Sequence, residues 1–500
     1  MKLLIDTNII IGLEDAGVIQ QRFADLVRTC HEYHVQLFVH EASIEDVERD
    51  KDVKRRAATL SKIRKFLPLK KVAVPSDQEL ALIFGPNKKA NDVVDAKLLH
   101  ALRDEIVDLL VSEDAGLHKR AKKAGVDTQV LTVAEAQAWL DREYKDAEVF
   151  LPAVEATQVY SLKPTDPIFD ELKDDYDGFD AWLAKARKQH RECWIVQKDG
   201  VLAAIIIRKD ELQGEAGTLN PGPKIMKLCT FKVAESFRGK KLGEQLLKQA
   251  LWHAQLNEYD LVYLTVFSAK QPALVRLIED YGFIETKVTA TGEAFMEKVI
   301  GRGPVTLEAS ETPLEATSRS YPRFFDSPPV NAFVVPIHPP FHLKLFPEFQ
   351  GLSDQAENGF GKPGNSIEKV YLCRSPTRAL QGGDLLFFYM TKGNAERGRQ
   401  TITTVGVVKS VRYSGDINQV KKWTAKRSVY SDNELDAMIH AGGGPLLIID
   451  FLLIGHCAAA IPLNELISSG ILNSWPQSLV QISRERYLQL KQVFELGFEN

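Results

Sequence analysis

With 44% hydrophobic residues in 500, the chain has the material for several cores, and at ~150 residues per domain it divides into about three. A formal net charge of −4 excludes a global cationic field, so affinity for nucleic acid has to come from local patches. Cys30, Cys193, Cys229, Cys373 and Cys457 are scattered without CxxC spacing, which argues against a disulfide framework or zinc module. Asp6 and Asn8 break the N-terminal apolar run before it could serve as a secretory segment, Asp450 interrupts the later candidate for a membrane span, Pro445–Gly455, and the expectation is a cytoplasmic protein with no membrane partner.

The opening stretch, Met1-Lys-Leu-Leu-Ile-Asp-Thr-Asn-Ile-Ile-Ile11, reads as a buried parallel strand that carries one acid, Asp6. A carboxylate without a partner is costly there or protonates, and open parallel sheets place ligands at the carboxyl ends of their strands. Gln36–His40 reads as a second strand, feeding a helix start with Glu41, Glu45, Asp46 and Glu48 in its opening turns. Asn91–Leu102 opens another helix with Asp95 near its mouth, and the strand Ile106–Val111 runs straight into Ser112-Glu113-Asp114. Four carboxylates converging on one edge repel each other unless Mg²⁺ or Mn²⁺, which favour oxygen ligands, lies between them. The basic run from Arg49 to Lys71 beside them is either a site for RNA backbone or an exposed helix face.

In Leu-Ile-Asp6-Thr7-Asn8, Val39-His40…Ser43…Asp46, Asp95-Ala-Lys-Leu-Leu and Val-Ser112-Glu-Asp114, the chain resembles a PIN-domain nuclease over roughly residues 1–140, within a domain of residues 1–147. The resemblance implies metal-dependent cleavage of RNA, with Asp6, Asp46, Asp95 and Asp114 as catalytic metal ligands. Thr7, Asn8 and Ser112 would then be hydrogen-bonders around them. Glu41, Glu45 and Glu48 stay open as alternatives to Asp46 for the second acid.

Thr132 and Glu135 have capping-box spacing and predict a helix that closes this domain near residue 147. Beyond it strands and helices alternate: Val149–Ser161, a helical Phe179–His190, Cys193–Gln197, Val201–Arg208 and Lys224–Val233, with Asp199-Gly200 as a two-residue hairpin turn. Thr230 to Leu247 then reads as a strand, a basic glycine-containing turn and an amphipathic helix, whose first N–H groups suit a pyrophosphate. A strand Leu261–Phe267, a short helix Pro272–Tyr281 and Gly282-Phe283-Ile284 follow.

This segment, residues 148–300, resembles the GNAT acyltransferase fold. The resemblance implies binding of acetyl-CoA or another acyl-CoA by Val233, Arg238, Gly239, Lys240, Lys241, Leu242 and Gly243, with Lys241 where the family has its middle glycine. Ile278 occupies the place of the usual Tyr acid, Gln271 replaces the common Asn, and the strand Lys224–Val233 has no acid to serve as base. Acyl-CoA binding is therefore expected ahead of efficient transfer.

Residues 301–320 mix Gly, Pro, Ser and Thr and read as a linker. In residues 321–500, Lys369–Cys373, Leu385–Met390, Thr401–Tyr413 and Leu446–Leu453 are strand-like. Gly-Asp384-Leu-Leu-Phe-Phe388-Tyr389, with Thr404-Val-Gly406-Val-Val, resembles the PUA-like superfamily that includes ASCH and EVE domains, which implies a small β-barrel that reads RNA. Tyr389, Tyr413 and Trp423 are candidates to stack bases, and Arg374, Lys392, Lys421 and Lys422 to meet phosphates. His338, His342 and His456 lack metal spacing.

The expected fold class is multidomain α/β and α+β: a PIN-like parallel sheet, a GNAT-like mixed sheet and a PUA-like barrel. The leading functional expectation is a metal-dependent ribonuclease in a toxin-like or translation-related setting. One alternative is an N-acyltransferase acting on an RNA-linked or protein amine, with the first domain as RNA clamp; another is a non-catalytic RNA-binding adaptor. RNA, acyl-CoA and a protein partner or second copy are the expected partners.

Overall fold

The computed structural model describes residues 1–11, 17–69, 72, 74–144, 154–176, 178–347, 349, 366–392, 400–424, 427, 430–441 and 444–496. By its internal contacts the chain forms two compact units, residues 1–149 with 418–428, and residues 150–417 with 429–500. The expected boundary near residue 147 lies outside the described residues, as do Lys70 and Lys71 of the basic run.

In the first unit the apolar opening is not one strand. Strand β1 is only Lys2–Ile5, and Thr7–Ile11 is already helical. With β2 (Gln36–His40), β3 (Leu67–Leu69), β4 (Leu109–Val111) and β5 (Val130–Leu131) it makes a five-stranded parallel sheet in the order β3-β2-β1-β4-β5. Leu3 and Ile5 pack into one core and Leu4 into another, so successive residues of β1 feed cores on opposite faces. That double burial explains the unbroken apolar run. The Thr132–Glu135 capping box is present, with Thr132 N donating to Glu135 and Glu135 N to Thr132 Oγ1, and it starts the helix Val133–Tyr144.

The second unit holds two sheets. β6 (Glu155–Gln158), β7 (Glu192–Lys198), β8 (Val201–Glu211), β9 (Ile225–Val233), β10 (Leu261–Val266), β11 (Ile284–Val288) and β12 (Ala294–Val299) form one, in the order β11-β12-β10-β9-β8-β7-β6. Only β9 and β10 run parallel. Asp199 and Gly200 both have positive φ, 52° and 76°, as the two-residue turn between β7 and β8 requires.

The other sheet comprises β13 (Ala332–Ile337), β14 (Glu368–Cys373), β15 (Leu385–Met390), β16 (Thr401–Ser414), β17 (Leu446–Pro462) and β18 (Val480–Ile482), in the order β14-β17-β16-β15-β13-β18. Among the described residues β14 and β18 do not pair, so the closed ring expected of a barrel is not seen there.

The expected linker is structured. Pro313–Ser320 is a helix with a Thr312–Glu315 capping box, and its Ala316 and Thr317 are buried. The two sheets are joined by Trp252 Nε1 donating to Tyr321 Oη at 3.1 Å, Tyr321 Oη donating to the Leu453 carbonyl at 2.9 Å, and Glu368 N donating to Glu244 at 2.7 Å.

Candidate functional site

The first place to look is the end of β9. Its ladder with β10 covers only Ile225, Met226 and Lys227, paired with Leu261, Val262 and Tyr263. Both strands continue, β9 on its β8 side to Val233 and β10 on its β12 side to Val266, so from Leu228 onward they leave a gap between them. The cause is local. The β8 ladder passes from Arg208↔Leu228 to Ile207↔Thr230, leaving Cys229 as the extra residue of a bulge, and a bulge bends the strand that carries it.

At the mouth of this gap β9 enters the glycine turn. Gly239 sits at a φ of 81° and Lys241 at 63°, the latter as N-cap of the helix Leu242–Leu256. A left-handed φ suits glycine and strains lysine, so this is where the missing middle glycine is felt. A Cβ on Gly243 would lie 3.3 Å from Leu277 Cδ2, a tight contact with the helix Pro272–Glu279, and 3.7 Å from Val233 Cγ2, an ordinary contact with the strand. Arg238 lies 3.6 Å from Glu235 and Lys240 Nζ 5.2 Å from the Phe237 ring centre. Leu242 is buried and Val233 half-buried. The turn and the strand end therefore lie together, as the spacing predicts.

The proton-handling groups do not compensate for the residues missing from the sequence. Ile278 is fully buried, and Tyr281 is buried beside Tyr321 with ring centres 5.4 Å apart. Sequence reasoning missed Glu171, from the helix Pro167–Asp175. It accepts the N–H of Glu235 at 3.2 Å and lies 3.4 Å from Lys232 Nζ, tying that helix to the start of the turn. No motif marks it, because the contact is made only by tertiary packing.

The second place is the end of β1. Ser112 Oγ donates to Asp6 at 2.6 Å, and the Asn8 backbone N–H donates to the same carboxylate at 3.2 Å. Burial raises the Asp6 carboxyl, against the pull of these donors. Asp95 is pushed up to about 7 by burial, then by Asp6 and Asp114, with Arg120 opposing. Asp114 also caps the helix Ala115–Lys123 by accepting the N–H of Leu117 at 2.7 Å. Asp6, Asp95 and Asp114 thus repel across one strand end.

The fourth acid does not join them. Asp46 is paired with Arg49 one helical turn away at 3.0 Å and does not contribute to the raised carboxyls of Asp6 and Asp95. Among the described residues no group of three or more His, Cys, Asp or Glu side chains is disposed to hold a metal ion. The four acids expected to hold Mg²⁺ or Mn²⁺ are thus not gathered as one set: Asp6, Asp95 and Asp114 are near enough to repel, and Asp46 is paired with Arg49. The basic run beside it is also partly spent, with Arg55 on Asp50 at 2.6 Å and Arg56 on the Asp50 carbonyl at 2.8 Å.

Most of the expected base-stacking and phosphate groups of the third segment are engaged too. Tyr389 is fully buried, and Tyr413 lies under the Arg378 guanidinium at 3.6 Å while its Oη donates to the Thr377 carbonyl. Lys421 pairs with Glu143 at 3.6 Å and Lys422 with Asp108 at 2.5 Å. Trp423 and Arg374 are half-buried; only Lys392 of this set is exposed. His342 is buried, 2.7 Å from Thr403 Oγ1, and His456 is half-buried, 2.9 Å from Thr404 Oγ1.

Comparison with known families bears on the gap and its turn. Residues 156–283 match the acetyltransferase (GNAT) family. This GNAT-like domain spans β6 to the turn before β11 and includes the whole glycine turn. Among solved structures, the ASCH protein from Zymomonas mobilis is 15% identical, covering 33% of this chain and 96% of its own, at a TM-score of 0.23. The NatC complex bound to Gag peptide and CoA gives 15%, 29%, 96% and 0.22 in the same order. Ard1 from Thermoplasma volcanium gives 18%, 30%, 99% and 0.23. No curated protein matches. No helix among the described residues is long and apolar enough to cross a membrane.

Proposed function

We propose that the protein is an acyl-CoA-dependent N-acyltransferase whose site is the gap between β9 and β10. The observation that carries this reading is the ladder that stops at Lys227↔Tyr263 while both strands run on, because it leaves the backbone groups of Leu228–Val233 free on that edge for an extended ligand. The backbone of Arg238, Gly239, Lys240, Lys241, Leu242 and Gly243 would receive the diphosphate at a helix start, with the dipole of a 15-residue helix behind it. Val233 would bound the pantetheine arm. Bound acyl-CoA supplies the thioester carbonyl that an amine attacks. The chain's own groups bind and align, since neither Ile278 nor Tyr281 offers a proton in the gap.

The acceptor is an amine on RNA or protein. In this reading the first unit is a clamp, and the main expectation of a metal-dependent ribonuclease gives way to its alternative, which the family match favours. Calorimetry of the full chain with acetyl-CoA tests the site. Saturable binding that Arg238→Ala weakens is expected, and the absence of a saturable heat would end the reading.

A further inference from the structure

We infer that the acceptor is carried on RNA, held on the surface where the helix Phe179–Lys188 turns into β7. This rests on the acyl-transfer reading above for its role, though the surface itself does not depend on it.

The helix ends in Lys185, Arg187 and Lys188, and His190 follows at a φ of 49°, holding a sharp turn. Val159 N donates to the Arg191 carbonyl at 2.9 Å, and Arg187 donates to the carbonyls of Val159 and Leu162, so the 3-10 turn Val159–Ser161 and Lys163 are fastened beside this end. Lys163, Lys185, Lys188 and His190 are all exposed, and among the described residues none of them has a carboxylate partner. Glu192, the acid nearest His190 and Lys188 in sequence, is taken by Arg208. A helix dipole accounts for cations in the last turn, but not for Lys163 or His190, which lie outside the helix.

Aromatic faces are interleaved with these cations. Tyr160 is 50% exposed and meets the His190 ring edge-on at 5.3 Å. Trp182 lies between the Arg191 guanidinium at 5.5 Å and the Phe179 ring at 5.4 Å, so it supports the cation, and Tyr160 is the ring left open to a base. Cations along a backbone track with rings between them suit a single-stranded nucleic acid, whose bases have faces to stack; an acidic peptide offers the charge without the faces.

Arg191 connects this surface to the chemistry. Its guanidinium reaches Cys229 Sγ at 3.5 Å, the bulge residue where β9 leaves β10. Cys229 and Trp182 pack on the same core as the helices Pro167–Asp175 and Phe179–Lys188. A chain laid along Lys188, His190 and Arg191 is thereby led to the gap.

The test uses the full chain and a short fluorescent single-stranded RNA of mixed sequence, read by anisotropy across a salt series. In Lys185→Glu/Lys188→Glu the affinity should fall about tenfold or more. The slope of log K against log salt should flatten by about 1.4, two phosphate contacts at about 0.7 each. Ultraviolet crosslinking of the wild type should label Tyr160. Acetyl-CoA binding by calorimetry should be the same in both proteins. An affinity and slope unchanged by the double substitution, with no crosslink at Tyr160, would overturn the proposal. So would poly-glutamate that displaces the RNA as well as unlabelled RNA does, which would assign the surface to an acidic protein. RNA bound here by a protein that takes up no acetyl-CoA would uphold the surface and sink the acyl-transfer reading alone.

Discussion

A Cβ built on Gly282 would lie 2.2 Å from the carbonyl oxygen of Arg319, and that same oxygen accepts a hydrogen bond from Lys298 Nζ at 2.6 Å. The helix Pro313–Ser320 is thus seated directly on the turn that ends the GNAT-like segment. Gly282 has a φ of 83°, so any side chain there meets both a strained backbone and a neighbour that is itself backbone and cannot swing aside. Gly282→Ala should destabilise the second unit by about 2–4 kcal/mol, seen as a lower urea midpoint with an unchanged slope. A midpoint equal to wild type would mean that the helix is not held in this place.

Lys298 makes the same contact dependent on pH. Its side chain is fully buried beside Arg319 and Arg323, and among the described residues no carboxylate pairs with it. Burial, then those two charges, pushes its amine down to about 7 from an ordinary 10.5. Because the folded value is the lower one, the unfolded chain binds more protons between about 7 and 10, and stability should rise with pH across that window. Below about 7 the burial of the charge is felt in full. Lys298→Met should remove the rise and gain on the order of 2 kcal/mol at pH 7, less what the orphaned Arg319 carbonyl costs. Urea titrations of both proteins at several pH values give the difference directly.

These two residues also show what could be read in advance. Gly282 was visible as a turn after a helix, but its real constraint comes from a helix that follows in what read as a linker, because Gly-, Pro- and Thr-rich composition hides a capping box as well as it marks a loop. Strands β2, β4 and β7–β10 were legible from apolar runs, since burial on both faces or on one leaves a direct pattern, whereas the run read as β1 is strand only to Ile5 and helix from Thr7. The β9–β10 gap was not legible: it depends on where a ladder stops and on one bulged residue, and Cys229 looks like any strand residue in sequence. Asp6, Asp95 and Asp114 came together because Asp6 follows β1, Asp114 caps a helix after β4 and Asp95 lies in the second turn of the helix Ala90–Arg103. Asp46 failed because a helix offers four acids within eight residues and only side-chain pairing, here with Arg49, tells which is free.

The turn at the start of the helix Leu242–Leu256 gives a prediction in which a loss of side chain improves function. Lys241 holds a left-handed φ of 63° that glycine adopts without strain. Lys241→Gly should relieve roughly 1 kcal/mol of strain and let a diphosphate approach the amides more closely. Its acetyl-CoA dissociation constant by calorimetry should fall several-fold. Lys241→Ala, which removes the side chain but keeps the strain, should bind more weakly than wild type. Both variants binding more weakly than wild type, and to the same extent, would show that the lysine's charge, and not the backbone, holds the ligand.

At the end of β1 the expectation concerns stability before chemistry. The Asp95 carboxyl is raised to about 7 by burial and by Asp6 and Asp114, so between about 4 and 7 the folded chain binds the extra proton. Stability should therefore fall as pH rises through that window, and stay low above it. Asp95→Asn should abolish the fall and stabilise the first unit at pH 8 by on the order of 2 kcal/mol, discounted for partial solvent access. Asp6→Asn relieves the same repulsion but leaves one acceptor oxygen where Ser112 Oγ at 2.6 Å and the Asn8 N–H at 3.2 Å now use two, so it should gain less. Repeating the melts with millimolar Mg²⁺ separates two origins of the strain. If wild type gains several degrees and Asp95→Asn gains nothing, the carboxylates close on a cation when it is offered, and the nuclease reading would regain its footing. If neither protein responds, the repulsion belongs to the folded chain itself.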